Sequence, residues 1–150
     1  MKKLLVTLIA VAVLAGCATT GKLSSDERLA LYRAHAGAPV KDFQYFGSLN
    51  GWTELGSSAL VVWTRPSEAY LLELSGPCID LDFAPAISVT NQMGRVSARF
   101  DDVIPLGAGL AGPRIPCRIQ TIRPLDVKEL RQTEQQLREA KLQEREAAKP

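Results

Sequence analysis

At 150 residues, with 18 basic and 16 acidic side chains, the chain has the length of one domain and a formal charge of +2 that Lys2 and Lys3 account for by themselves. Beyond those two lysines the sequence is neutral, so no global field favours nucleic acid and none is expected as a partner. One histidine and three cysteines leave a histidine-based zinc site short of ligands, and the sequence holds no GxSxG elbow, GxGxxG or Walker loop.

The chain opens MKKLLVTLIAVAVLAGCATT. Lys2 and Lys3 make a positive start, and Leu4–Ala15 is an apolar run far shorter than the roughly 20 residues a spanning helix needs. The run ends in Leu14-Ala15-Gly16-Cys17, which resembles the lipobox of bacterial lipoproteins. That resemblance implies a signal peptide over 1–16, cleavage after Gly16 and acylation of Cys17. Several acyl chains anchor firmly where one holds only marginally, so the membrane is an expected partner through the N-terminal lipid. Position 18 is Ala and not the Asp that, in such lipoproteins, favours retention in the inner membrane; the periplasmic face of the outer membrane is the expected location. Residues 17–25 are small and polar and read as a tether.

Once the lipid has taken Cys17, Cys78 and Cys117 remain, and in an oxidising compartment an even pair is most simply a disulfide. Closing a loop of about 40 residues contributes about 4 kcal/mol in the loop-entropy account. Both cysteines follow a proline, in GPC and IPC, at what read as strand starts.

A short helix is expected over 26–37. Ser24 and Glu27 have capping-box spacing, and Gly37 is placed to take a left-handed C-cap. From 38 to 126 the texture changes to short strands separated by turns. Asn50-Gly51 is a strong hairpin signal, and ALVVWTRPSEAYLLEL reads as two strands joined around Arg65-Pro66-Ser67. AISVTNQMGRVSARF reads as a third hairpin, with Ile87 and Val89 facing Val96, Ala98 and Phe100. The Gly/Pro-rich stretch Pro105–Pro116 reads as a surface loop, and CRIQTIRPL as a last strand. About seven strands in this span predict a mainly β (α+β) fold, a small antiparallel barrel or sandwich. Asp126 can cap a long, charged C-terminal helix over 127–150, with Val127, Leu130 and Leu137 as a narrow apolar stripe. Its first half is expected to dock and its second half to project into solvent.

The stretches FQYFGSLNGW, LVVWTRPSEAYLLEL, GPCIDLDFA, GRVSARFD and CRIQTIRPLD, together with the lipobox, resemble a family of small proteobacterial lipoproteins known only as a domain of unknown function. The resemblance covers about Val40–Asp126. It implies the domain boundaries and the cysteine pair, and carries no mechanism, ligand or catalytic residue.

The residues themselves offer few sites. Asp80 and Asp82 alternate, which on a strand would put both on one face, and Asp101-Asp102 follow a strand ending at Phe100. Two or three of these, with Glu68 and Glu73 flanking the second hairpin, could gather into a calcium site or a glycosidase-like acid pair, or Asp80 and Asp82 could simply be the polar face of a half-buried strand. Between Phe43 and Asp126 the cations are six arginines and no lysine. Arg95 and Arg99, on one strand face, could form a surface for an anion or a partner, or pair with those aspartates. The aromatics, from Phe43 to Phe100, read as core. No catalytic constellation, cofactor or metal is expected. The reading that follows is a non-enzymatic, membrane-anchored periplasmic lipoprotein, a binding or structural module for an envelope protein or component. The alternatives are a small-ligand or calcium module on Asp80 and Asp82, or a carboxylate hydrolase. Oligomeric state is left open.

Overall fold

The computed structural model describes residues 22–107 and 114–149. The signal, Cys17, most of the tether and the middle of the Pro105–Pro116 stretch therefore lie outside the described residues. The elements in chain order are α1 (Ser25–Ala34), β1 (Asp42–Gln44), β2 (Gly51–Glu54), β3 (Ala59–Arg65), β4 (Glu68–Leu74), a 3-10 turn (Leu81–Phe83), β5 (Ala86–Val89), β6 (Arg95–Ser97), β7 (Asp102–Leu106), β8 (Cys117–Pro124) and α2 (Val127–Ala147). Six strands in the order β2-β3-β4-β8-β7-β5 form a curled half-barrel sheet, and β1 pairs with β6 as a separate two-stranded sheet. All pairings are antiparallel. The fold is thus mainly β, with eight strands, a short N-terminal helix and a long C-terminal one among the described residues.

The period-2 pattern of β3 and β4 sends side chains to two separate cores. Leu60, Val62, Leu72 and Leu74 face the inside of the half-barrel, where they join Ile119 and Ile122 of β8 and the Cys78–Cys117 disulfide. Val61, Ala69 and Leu71 face the other way, against Leu29 and Tyr32 of α1 and Val127 and Leu130 of α2. Each such Leu, Ile or Val contributes about 1.5–3 kcal/mol through burial. Trp52 packs in the first core and Trp63 in the second, on opposite faces of the sheet.

Both helices begin where their caps predict. Ser24 Oγ accepts the Glu27 N–H at 3.2 Å, and Glu27 Oε2 accepts the Ser24 N–H at 2.8 Å. That backbone donor, with the Ser24 hydroxyl, holds the Glu27 carboxyl below its ordinary range. Asp126 Oδ1 accepts the Glu129 N–H at 2.9 Å. Of α2, Val127 and Leu130 are buried while most side chains past Leu137 are exposed, so the helix docks by its first half.

Several expected details are corrected. Gly37 does not cap α1, which ends at His35. Its N–H donates to the Pro124 carbonyl at 2.8 Å, and a Cβ there would lie 3.3 Å from Pro124 Cγ. Close approach, and not a left-handed turn, is what favours glycine. Asn50-Gly51 is no hairpin turn: neither residue has positive φ, Asn50 N–H donates to the Trp63 carbonyl at 2.7 Å, and Gly51 opens β2. The third hairpin turns where expected, but β5 then pairs with β7 and β6 with β1. Its loop is Met93-Gly94, both at positive φ (50° and 76°), between Gln92 and Arg95, which exchange both backbone hydrogen bonds. That is the two-residue loop with type I′ character.

Candidate functional site: a cationic groove

Four aspartates and two arginines are the residues to place first. Asp80 and Asp82 do not share a strand face. Asp80 has φ +66° and leads into the 3-10 turn, where Asp82 is exposed and only Leu81 is buried. The chain bends at Ser75-Gly76 and turns at Ile79-Asp80, so Cys78 starts no strand, whereas Cys117 opens β8. The disulfide itself is present, with Cα atoms 5.6 Å apart. Asp101 is buried and Asp102 pairs with Arg118 at 3.0 Å. Among the described residues no three His, Cys, Asp or Glu side chains gather as a metal site. Arg95 and Arg99 are also separated: β6 ends at Ser97, Arg95 is paired to Asp42, and Arg99 lies in the turn beyond. The aromatics divide too, with Phe43 buried while Phe46, Phe83 and Phe100 are exposed.

What the fold does assemble is the turn Ser97–Asp101. Asp101 accepts the Ser97 N–H and the Thr90 hydroxyl, each at 2.8 Å, and its own N–H donates to the Ser97 carbonyl at 3.0 Å. Thr90 Oγ1 in turn accepts the Asp102 N–H at 2.8 Å. Arg99 N–H donates to the Ile119 carbonyl at 2.7 Å, and the Arg118 guanidinium caps the carbonyls of Arg99 and Phe100. This set of bonds holds Arg99 at φ +70°, a left-handed conformation that a long side chain adopts at a cost of about 1–2 kcal/mol. The result is a rigid loop that presents Arg99 and Phe100 outward.

Beside it runs a groove of about 630 Å³, within the range of small-ligand sites. One wall is Pro39–Asp42, held to β8 by Val40 N–H on the Ile122 carbonyl at 2.8 Å and to the turn by Ala98 N–H on the Lys41 carbonyl at 2.9 Å. The other wall is Ser97–Phe100, and Gln120 and Thr121 of β8 line the groove between them. The β4–β8 register shifts there: Glu73 pairs Thr121 and Leu74 pairs Ile119, leaving Gln120 as a bulge residue. Lys41 and Arg99 both line the groove, and neither forms an ion pair within the described residues. Two cations without ion pairs among the described residues, an exposed phenyl ring, an amide and the hydroxyls of Ser97 and Thr121 thus line one concave surface, together with Asp42, which Arg95 pairs. Sequence reasoning singled out Arg99 but missed Lys41, Phe100, Gln120 and Thr121. The one local signal was that five residues, Ala98–Asp102, follow the β6 pattern without continuing its alternation.

A model of a protein family matches residues 1–141. The chain belongs to the family of unknown function DUF6491. No curated protein and no solved structure matches it. The DUF6491 match extends across α1, the half-barrel and most of α2, so the groove lies well inside it.

Proposed function

We propose that this chain is a lipoprotein, anchored through acylated Cys17 to the periplasmic face of the outer membrane, whose domain binds an anion-bearing envelope component without catalysis. The observation that carries the binding reading is Arg99, held left-handed in a turn braced by buried Asp101, with a guanidinium that forms no ion pair among the described residues and lines the groove. Strain that the surroundings over-determine marks functional positions. Arginine is suited to planar carboxylate and phosphate groups. Phe100 and Val40 add an apolar surface, and Gln120 and Thr121 add hydrogen-bonding groups, which together suit a sugar carrying a carboxylate or phosphate. The signal-like start, the lipobox ending at Cys17 and the disulfide support the location.

Two measurements test the reading. Titration with uronate- and phosphate-bearing oligosaccharides, followed through the backbone amides of Ala98 and Arg99, is expected to give saturable shifts. Arg99→Ala is expected to weaken binding about 10-fold or more, the worth of a charged hydrogen bond. Absence of shifts with every anionic sugar would remove the groove from consideration. Independently, the mature protein is expected to carry acyl chains on its first residue, and Cys17→Ser to leave the membrane fraction.

A further inference from the structure

The tether leaves the domain at one identifiable end. A Cβ on Gly56, in the β2–β3 turn, would lie 3.5 Å from Ser25 Cβ at the start of α1. The next residue of that turn, Ser57, accepts the Cys78 N–H at 2.7 Å through its carbonyl. Cys78 is bonded to Cys117, and Ser75 N–H donates to the Arg118 carbonyl at 3.0 Å. The α1 start, the β2–β3 turn and the disulfide therefore share one end of the half-barrel. The α2 start is at the other end, where Asp126 N–H donates to the His35 carbonyl at 2.9 Å.

The disulfide end is also where apolar side chains are left in water. Ile79 is 65%, Phe83 82% and Ile115 51% exposed, and all three lie within a few residues of the bridge. Leu81, between the first two, is fully buried and pins the 3-10 turn that displays them. In sequence the three are flanked by Asp80, Asp82 and Arg114.

Only four residues lie between Cys17 and Lys22, and those five steps reach at most about 18 Å even fully extended. A lipid at Cys17 would hold this end, and not the α2 start, within that distance of the bilayer. We propose that the rim of Ile79, Phe83 and Ile115 rests in the bilayer interface, so that the domain is oriented on the membrane and not merely leashed to it. The inference rests on the lipid-anchored reading. Because the three contacting side chains are apolar, the contact is insensitive to salt.

The test uses the full lipidated chain, purified from membranes and reconstituted in phosphatidylethanolamine/phosphatidylglycerol vesicles containing brominated lipid. Phe83→Trp places a reporter on the rim, and Lys128→Trp places one at the far end. Each is read as the difference from the parent, which holds Trp52 and Trp63. Parent-like melting temperatures confirm that both variants fold, as expected at exposed positions. The added emission at 83 is expected to shift to the blue and to be quenched by brominated lipid, at low and high salt alike. The emission at 128 is expected to do neither. Flotation with vesicles and an acylated N-terminal peptide, but an unquenched Trp at 83, would overturn the rim contact and leave the anchor standing. A peptide without lipid would overturn both. A blue shift that grows with protein concentration in the absence of vesicles would assign the rim to a second copy of this chain, which also overturns the proposal.

Discussion

Asp101 carries two acceptor bonds on one buried carboxylate, from Ser97 N–H and Thr90 Oγ1, and Thr90 is bridged onward to Asp102. Asp101→Ala would strand a part-buried backbone donor and a part-buried hydroxyl together. Each unsatisfied group costs about 1–3 kcal/mol, so we expect a loss of roughly 2–4 kcal/mol, read as a lower urea midpoint at unchanged slope. The same change frees Arg99 from φ +70°, so ligand shifts at Ala98 should shrink even in conditions where the variant is folded. Met93 offers the opposite case. It is fully exposed at φ +50° in a two-residue loop that favours Asn. Met93→Asn is expected to stabilise by about 0.5–1 kcal/mol, measured as a raised melting temperature.

At the scale of elements, the disulfide joins the start of β8 to the segment after β4, and these two strands are already paired in the sheet. Replacing both Cys78 and Cys117 with Ala is expected to lower stability by about 4 kcal/mol in the loop-entropy account, measured by denaturation of the oxidised parent against the double variant. In α2 the two halves should behave differently. Leu130→Ala opens a cavity in the second core and should cost about 2–5 kcal/mol, whereas truncation after Lys141 removes exposed side chains and should leave the melting temperature almost unchanged. These elements were legible in the sequence to the extent that their signals were local. Ser24–Glu27 and Asp126 announced the helix starts, and the alternation of β3 and β4 announced both strands and their turn. The signals that misled were also local. Asn50-Gly51 satisfies hairpin preferences but lies beside a strand that pairs elsewhere, and Asp80-Leu81-Asp82 alternates like a strand although Pro77 and the bridge hold it in a 3-10 turn. The groove was illegible because its walls come from residues 39–42, 97–100 and 120–121. Only long-range pairing, of β1 with β6 and of Val40 with Ile122, brings them together.

For the molecule as a whole, both helices and the sheet they cover meet around Tyr32. Its hydroxyl donates to Glu134 Oε1 at 3.1 Å, and burial, with Glu134 beside it, pushes its pKa up to about 12. Burial and the hydrogen bond to Glu68 likewise push Tyr70 up to about 12. Between about pH 10 and 12 an unfolded chain has released phenolic protons that the folded one keeps. The stability from these tyrosines is therefore complete below about pH 10 and is lost as pH rises through about 12. Urea midpoints should fall over that window, and Tyr32→Phe with Tyr70→Phe should flatten the fall.

The position of β8 in the sheet has a consequence for synthesis. It is the last strand in the sequence, yet it sits between β4 and β7, and Val40 and Ala36 also bridge to its segment. A nascent chain that has not yet produced residues 117–124 has no centre to its sheet, and its β4 and β7 edges stand open. Fragments ending before Cys117 should accumulate as protease-sensitive chains, and the domain should appear all at once, only after its final strand has emerged.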